Sequence, residues 1–263
     1  TVLHEQYKRR SWQEWPEAYA RHDEKALADF SLEHVDALEY VYFCQWQFRR
    51  QWDRLKNYAH ERKVKIIGDM PIFPALDSAD VWAAPEQFQL DEAGYPLAVA
   101  GVPPDYFSED GQLWGNPLYD WEYSEKDGYN WWIERMRYAM ALFDSVRIDH
   151  FRGFESYWSV PAGRKTAKHG VWRKGPGMKL FNALHEALDA PEIIAENLGD
   201  INEEVDELLE DSGYPGMKVL QFAFDATTEA DELPYTYKAN DVVFTGTHDN
   251  NTTAGWLKNL DPE

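Results

Sequence analysis

Five short β-rich runs that each close on an acidic residue or a polar turn constrain this chain more than any other feature. Lys63 to Gly68 leads into Asp69, Ser145 to Ile148 into Asp149, and Glu192 to Ala195 into Glu196. Lys218 to Phe224 leads into Asp225, and Asp241 to Thr247 into His248 and Asp249. Helical patterns separate them: Val35 to Arg62 is long and amphipathic, Tyr129 to Phe143 is aromatic-rich, Met178 to Leu188 follows a Gly-Pro-Gly turn, and Ile201 to Asp211 is acidic. Strand, helix and strand in succession predict parallel strands joined by crossover helices. Acids at the C-terminal ends of several such strands are what the active-site face of a (β/α)₈ barrel presents, whereas a doubly wound sheet carries a Gly-rich phosphate loop after its first strand. No such loop occurs. The expected fold is therefore α/β, a (β/α)₈ TIM barrel that is incomplete in this chain, with about five of its eight strands present.

No repeat, low-complexity tract or Ser/Gly linker divides the sequence, so residues 1–263 are expected to form one partial catalytic barrel domain. Within it, Met70 to Trp121 is rich in Pro, Gly, Asp and aromatics and has little periodicity. A connection that long is usually a lid or binding loop, and 70–121 is expected to cover substrate.

Composition narrows the partners. With 26 basic against 47 acidic residues the formal charge is −21, and no Lys/Arg cluster offers a footprint for a phosphate backbone, so nucleic acid is not expected. No stretch approaches the roughly 18 to 20 apolar residues of a membrane span, and Thr1 to Arg10 lacks a signal-peptide core, so a soluble protein away from the membrane is expected. Cys44 is the only cysteine, which excludes an intrachain disulfide, leaves too few thiols for a zinc ribbon, and fits a reducing cytoplasm. The 12 Trp can serve as platforms for the apolar faces of sugar rings, or as core and interface packing.

Three strand ends carry the chemistry. In Val146-Arg147-Ile148-Asp149-His150, residues two apart share a strand face, so Arg147 and Asp149 point together into the barrel mouth. An Arg beside an Asp favours the charged carboxylate, which suits a nucleophile; the alternative is a structural ion pair at a strand end. In Ile193-Ile194-Ala195-Glu196-Asn197 an apolar strand ends in a Glu whose desolvation raises its pKa and fits a general acid/base, the alternative being a helix-capping or supporting carboxylate. Thr245 to Asn251 is a polar turn that sets His248 beside Asp249, a pair able to hold sugar hydroxyls and stabilise an oxocarbenium-like transition state. A metal site is the rival there, but no second His stands at ligand spacing and no HExxH-type helix occurs, so no metal is expected. An ionised Asp, a protonatable Glu and a further Asp on three strands of one barrel are what retaining glycosyl transfer requires.

Eight segments together resemble amylomaltase, also called disproportionating enzyme: Ile67 to Phe73, Asp77 to Trp82, Gly101 to Phe107, Gly111 to Tyr119 (GQLWGNPLY), Arg147 to Phe154 (RIDHFRGF), Ile194 to Gly199 (IAENLG), Gly216 to Phe224 (GMKVLQFAF) and Gly246 to Thr252 (GTHDNNT). The resemblance runs from about Val35 to Trp256. It implies a 4-α-glucanotransferase that moves segments of α-1,4-glucans between maltooligosaccharides, without metal or cofactor. It further implies Asp149 as nucleophile, Glu196 as general acid/base, Asp249 as transition-state stabiliser, and Arg147 and His248 as supporting groups. Asp69 is similar to the family's sugar-hydroxyl ligand, Trp114 would stack on sugar, and Phe107 and Gln112 would sit on the covering loop. The chain departs from the pattern at Pro74, where a small apolar residue usually follows the Phe, and the family's first two strands and last strand are not evident. An α-amylase-like retaining hydrolase and a non-catalytic glucan-binding module are the competing functions. Retention of all three carboxylates argues against the module. Nothing in the sequence fixes an oligomeric state.

Overall fold

The computed structural model describes residues 1–105, 108–199, 201–224 and 233–259. Among them are ten α-helices: α1 Val2–Gln6, α2 Glu17–Ala20, α3 Glu24–Glu33, α4 Val35–Glu61, α5 Ala79–Ala83, α6 Trp121–Lys126, α7 Asn130–Leu142, α8 Met178–Ala187, α9 Glu203–Ser212 and α10 Thr253–Asn259. There are nine strands: β1 Ile67–Pro71, β2 Ala98–Val102, β3 Gln112–Pro117, β4 Ser145–Asp149, β5 Ser156–Pro161, β6 Val171–Lys174, β7 Ile193–Ala195, β8 Met217–Val219 and β9 Val242–Phe244.

The expected parallel strands are present. β1, β4 and β7 form a parallel sheet in that order, and β8 pairs in parallel with β9. A parallel bridge between Ala195 and Gly216, with the Ala195 amide donating to the Pro215 carbonyl at 2.9 Å, continues β7 into β8. The five therefore follow one another side by side, and α7, α8 and α9 lie on the crossovers that link β1, β4, β7 and β8 in parallel. The chain is an α/β fold. Along β4, Val146 and Ile148 are wholly buried while Arg147 and Asp149 on the other face are partly exposed, the alternation a strand imposes.

Three segments differ from expectation. The run Lys218 to Phe224 is extended only in β8, to Val219, and Leu220–Phe224 winds into a 3₁₀ helix. The first strand begins at Ile67, because α4 ends at Glu61 and Lys63 takes a left-handed conformation (φ 59°) that turns the chain before it can extend. Asp69 consequently lies within the strand, not after it. The segment 70–121 is not an irregular loop: it holds α5, β2 and β3, and β2 pairs antiparallel with both β3 and β5. With β6 these make a four-stranded antiparallel sheet in the order β3-β2-β5-β6. Its central pair, β2 and β5, is brought together across some sixty residues, so local periodicity does not betray the sheet.

The core is aromatic. Trp132 of α7, Phe154 and Phe181 of α8 meet edge to face with ring centres 5.2 Å apart, and Phe151 stacks on Phe181 at 5.3 Å. The three Trp residues buried among the described ones, Trp12, Trp15 and Trp132, thus serve packing. Tyr119 and Arg135 fasten this core to the end of β1: the Tyr119 hydroxyl donates to the Ile72 carbonyl at 2.6 Å, and Arg135 donates to the carbonyls of Ile72 (3.0 Å) and Pro71 (2.7 Å). The turn after β1, where Pro74 departs from the family pattern, is held from the other side by Asn116, whose amide donates to the carbonyls of Phe73 (3.2 Å) and Pro74 (3.0 Å). No helix among the described residues is long and apolar enough to cross a membrane.

Candidate active site

The register of β1 on β4 sets Asp69 opposite Arg147 and Pro71 opposite Asp149. Because Arg147 and Asp149 lie two residues apart on one strand face, the guanidinium can reach both acids. It does: one terminal nitrogen donates to Asp69 Oδ1 and the other to Asp149 Oδ1, both at 2.7 Å, and Nε donates to the Met217 sulfur at 3.3 Å. Burial works to lower the Arg147 pKa, but the hydrogen bond to Asp69 and the charges of Asp149, Asp69 and Glu196 outweigh it and hold the guanidinium above its usual range. Three acceptors on three strands thus fix one cation beside Asp149.

Glu196 arrives from the neighbouring strand. Ile148 pairs with Ala195, the Glu196 amide donates to the Ile148 carbonyl at 3.0 Å, and the Phe151 amide donates to the Glu196 carbonyl at 2.9 Å, so the β4–β7 ladder runs on past both acids. The Glu196 side chain is 9% exposed. Each of its oxygens accepts one backbone N–H, Oε2 from His150 at 2.7 Å and Oε1 from Leu198 at 2.8 Å. Burial raises its pKa, the Leu198 and His150 amides pull it down, Asp149 raises it and Arg147 lowers it, and the balance leaves it above the ordinary carboxylate value. Two adjacent carboxyl groups therefore sit in opposite settings. One is paired with a cation, and the other is buried and biased toward its protonated form.

The antiparallel sheet supplies an aromatic wall. Trp114 on β3, 38% exposed, meets the His150 ring edge to face at 4.8 Å, and its indole N–H donates to Gln112 Oε1 at 3.1 Å. Asp69, Arg147, Asp149, Glu196, Trp114 and Gln112 are thereby gathered around the C-terminal ends of β1, β4 and β7. His248 and Asp249 are not joined to this group. They lie on the turn after β9, at the same end of the parallel strands, with side chains 69% and 73% exposed and 3.5 Å apart. That turn is internally braced by Thr247, which donates to Asn250 Oδ1 through both N–H and hydroxyl at 2.9 Å. Phe107, expected on the covering loop, lies outside the described residues, as does Asp225. His150 and Met217 were given no role in the sequence; a His in the left-handed region and a thioether acceptor have no local pattern, although His is enriched among residues that tolerate positive φ.

The profile of the 4-alpha-glucanotransferase family matches residues 1–263, the whole chain. The chain belongs to the 4-alpha-glucanotransferase family. A 4-alpha-glucanotransferase from Streptococcus pneumoniae is 52% identical over 259 residues, covering 98% of this chain and 51% of that protein. One from Thermus thermophilus is 52% identical over 253 residues, covering 95% and 51% respectively. The amylomaltase from Streptococcus agalactiae, solved in complex with acarbose, superposes with a TM-score of 0.94 at 43% identity over 99% of this chain and 53% of that one. The chain thus spans about half the length of the curated 4-alpha-glucanotransferases it matches.

Proposed function

We infer that this chain carries the catalytic centre of a retaining 4-α-glucanotransferase, and that its five parallel strands are part of a closed (β/α)₈ barrel. The observation that carries the reading is the asymmetry of the two adjacent acids: Asp149 paired with Arg147, Glu196 buried between two backbone donors. Neighbouring strands lie about 4.8 Å apart, which suits the roughly 5 to 5.5 Å between nucleophile and acid/base in retaining enzymes. Asp149 attacks the anomeric carbon of a maltooligosaccharide donor and forms a β-glycosyl ester. Glu196 protonates the departing sugar oxygen, then takes the proton from the 4-hydroxyl of an incoming glucan that displaces Asp149.

Asp69 holds donor hydroxyls beside Arg147, and Trp114 and Gln112 offer a stacking face and a polar partner on the acceptor side. Asp249 and His248 reach the donor ring from the turn after β9, and Phe107 belongs to the cover. The acarbose complex of the Streptococcus agalactiae amylomaltase supports α-glucans as substrates. A water-excluding cover over 70–121 favours transfer over hydrolysis. The reaction needs no metal or cofactor, and a cytoplasmic setting fits.

The test uses the chain extended to the length of its relatives. Incubated with maltotriose, it should yield glucose together with a ladder of longer maltooligosaccharides; glucose and maltose with nothing longer would mean hydrolysis. Asp149→Asn should lose turnover by at least about 10⁴-fold, on the scale of removing a covalent nucleophile, while retaining glucan binding. Near-normal activity in that variant would sink the mechanism.

A further inference from the structure

The residue that follows Asp149 bears on the acid across the sheet. His150 occupies the left-handed region, with φ 58° and ψ 51°, and this turns the chain out of β4 into the short 3₁₀ turn Phe151–Phe154. The same bend aims two successive amides at one residue of the next strand: Phe151 N–H meets the Glu196 carbonyl at 2.9 Å and His150 N–H meets Glu196 Oε2 at 2.7 Å. With Leu198 N–H on Oε1 at 2.8 Å, the carboxyl plane is gripped at both oxygens by main-chain donors.

The His150 ring has a separate set of contacts. It meets Trp114 edge to face at 4.8 Å, and on another side lies so close to Gly153 that a Cβ there would come within 3.1 Å of its Cδ2 and 2.7 Å of Ile72 Cδ1. A side chain at Gly153 would press on Ile72 and crowd the ring. Burial, and secondarily the charge of Arg152, push the ring pKa down to about 3, so it stays neutral and adds no charge beside the two acids.

We propose that His150 is a positioning residue for the acid/base Glu196: its left-handed backbone holds the carboxyl plane through the N–H contact. This rests on the assignment of Glu196 as acid/base in the preceding subsection. A residue that adopts positive φ readily keeps the grip, and one that resists it withdraws the amide. The groups facing Glu196 are Asp149 and Arg147 of β4 and the amides of His150 and Leu198. Withdrawing a donor that favours the charged carboxylate raises the Glu196 pKa. The neutral ring adds no ionisation of its own near neutrality, so the basic limb of kcat/KM follows the acid that must be protonated.

The experiment compares His150→Asn, which tolerates the left-handed region, with His150→Ala and His150→Val, which resist it, in the chain extended to family length. Each is assayed across pH on maltotriose and on α-maltosyl fluoride, whose leaving group needs no proton. In His150→Ala and His150→Val the basic limb should move up by about one pH unit. Both should lose roughly tenfold or more on maltotriose with the fluoride donor largely spared. His150→Asn should keep the limb and the donor ratio of the parent. The Ala variant keeps the test open should Val misfold. An unmoved limb in Ala, equal losses on both donors, or Asn behaving like Ala would each overturn the proposal. A parent protein that makes no longer maltooligosaccharides would instead overturn the functional reading on which it rests.

Discussion

At the residue scale, the Arg147 fork satisfies three acceptors in fixed directions: Asp69, Asp149 and the Met217 sulfur. An ammonium is a compact point charge that cannot span both carboxylates in that geometry. Arg147→Lys should therefore lower kcat/KM by about 10- to 100-fold, the loss of one charged hydrogen bond at the site, with the fold intact by circular dichroism. Activity within threefold of the parent would show that the bridge is structural only. Glu196 gives a second expectation at this scale, with a definite sign. Its folded-state pKa is raised chiefly by burial, so its contribution to stability is present below the unfolded value and is lost as pH climbs through the raised one. The stability of the parent relative to Glu196→Gln should thus fall as pH rises from about 4, the ordinary Glu range, through the raised folded-state value. A Gln amide facing the His150 N–H adds a constant offset that cancels in this slope. Parallel curves from denaturant titrations at several pH values would remove the desolvation argument for Glu196.

At the scale of elements, β1 depends on one close approach. Gly68 lies against the ring of Phe143 at the C-terminal end of α7, and a Cβ there would fall 2.1 Å from the ring's Cδ2. Phe143 cannot easily retreat, since Trp52 of α4 meets it edge to face at 5.7 Å and donates its indole N–H to the Leu142 carbonyl at 2.8 Å. Gly68→Ala should cost about 1 to 3 kcal/mol, the usual penalty of overpacking, and should reduce turnover with it, because Asp69 is the next residue on the strand. An unchanged urea midpoint would mean that the ring yields. The same elements show what the sequence carried. The helices α4, α7, α8 and α9 and the places of the parallel strands were legible because apolar periodicity and caps are local, although the apolar run after Val219 winds into a 3₁₀ helix where a strand was expected. Arg147, Asp149 and Glu196 were legible because strand alternation fixes which side chains share a face. The antiparallel sheet within and beyond 70–121 was not, since β2 finds β5 some sixty residues away and no nearby pattern encodes that pairing. Nor was His150, whose part depends on a backbone angle.

For the molecule as a whole, the length of its relatives bears directly on an unsatisfied surface. α4 is a 27-residue helix with no fully buried residue, and in its second half Trp52, Lys56 and His60 reach the end of α7 and Asp144. Its first half exposes Tyr40, Tyr42, Phe43, Trp46 and Phe48. β1 in turn pairs only with β4, leaving its other edge open and Ile67 half-exposed. Contiguous apolar surface beside an open strand edge is a surface that expects cover. If the five parallel strands belong to a closed barrel, the sequence that completes the relatives' length must cover both. Cys44 reports on this, being the chain's single cysteine and lying exposed on α4 between Phe43 and Trp46. Residues 1–263 alone should react at Cys44 with a thiol reagent at close to the rate of a free peptide, and should associate through the open edge. In the chain extended to family length, Cys44 should be protected at least tenfold, as about 1.4 kcal/mol of local opening energy requires, with the modified site located by mass spectrometry. Equal rates in the two forms would mean that α4 stays uncovered in the longer chain and that closure of the barrel does not enlist this helix.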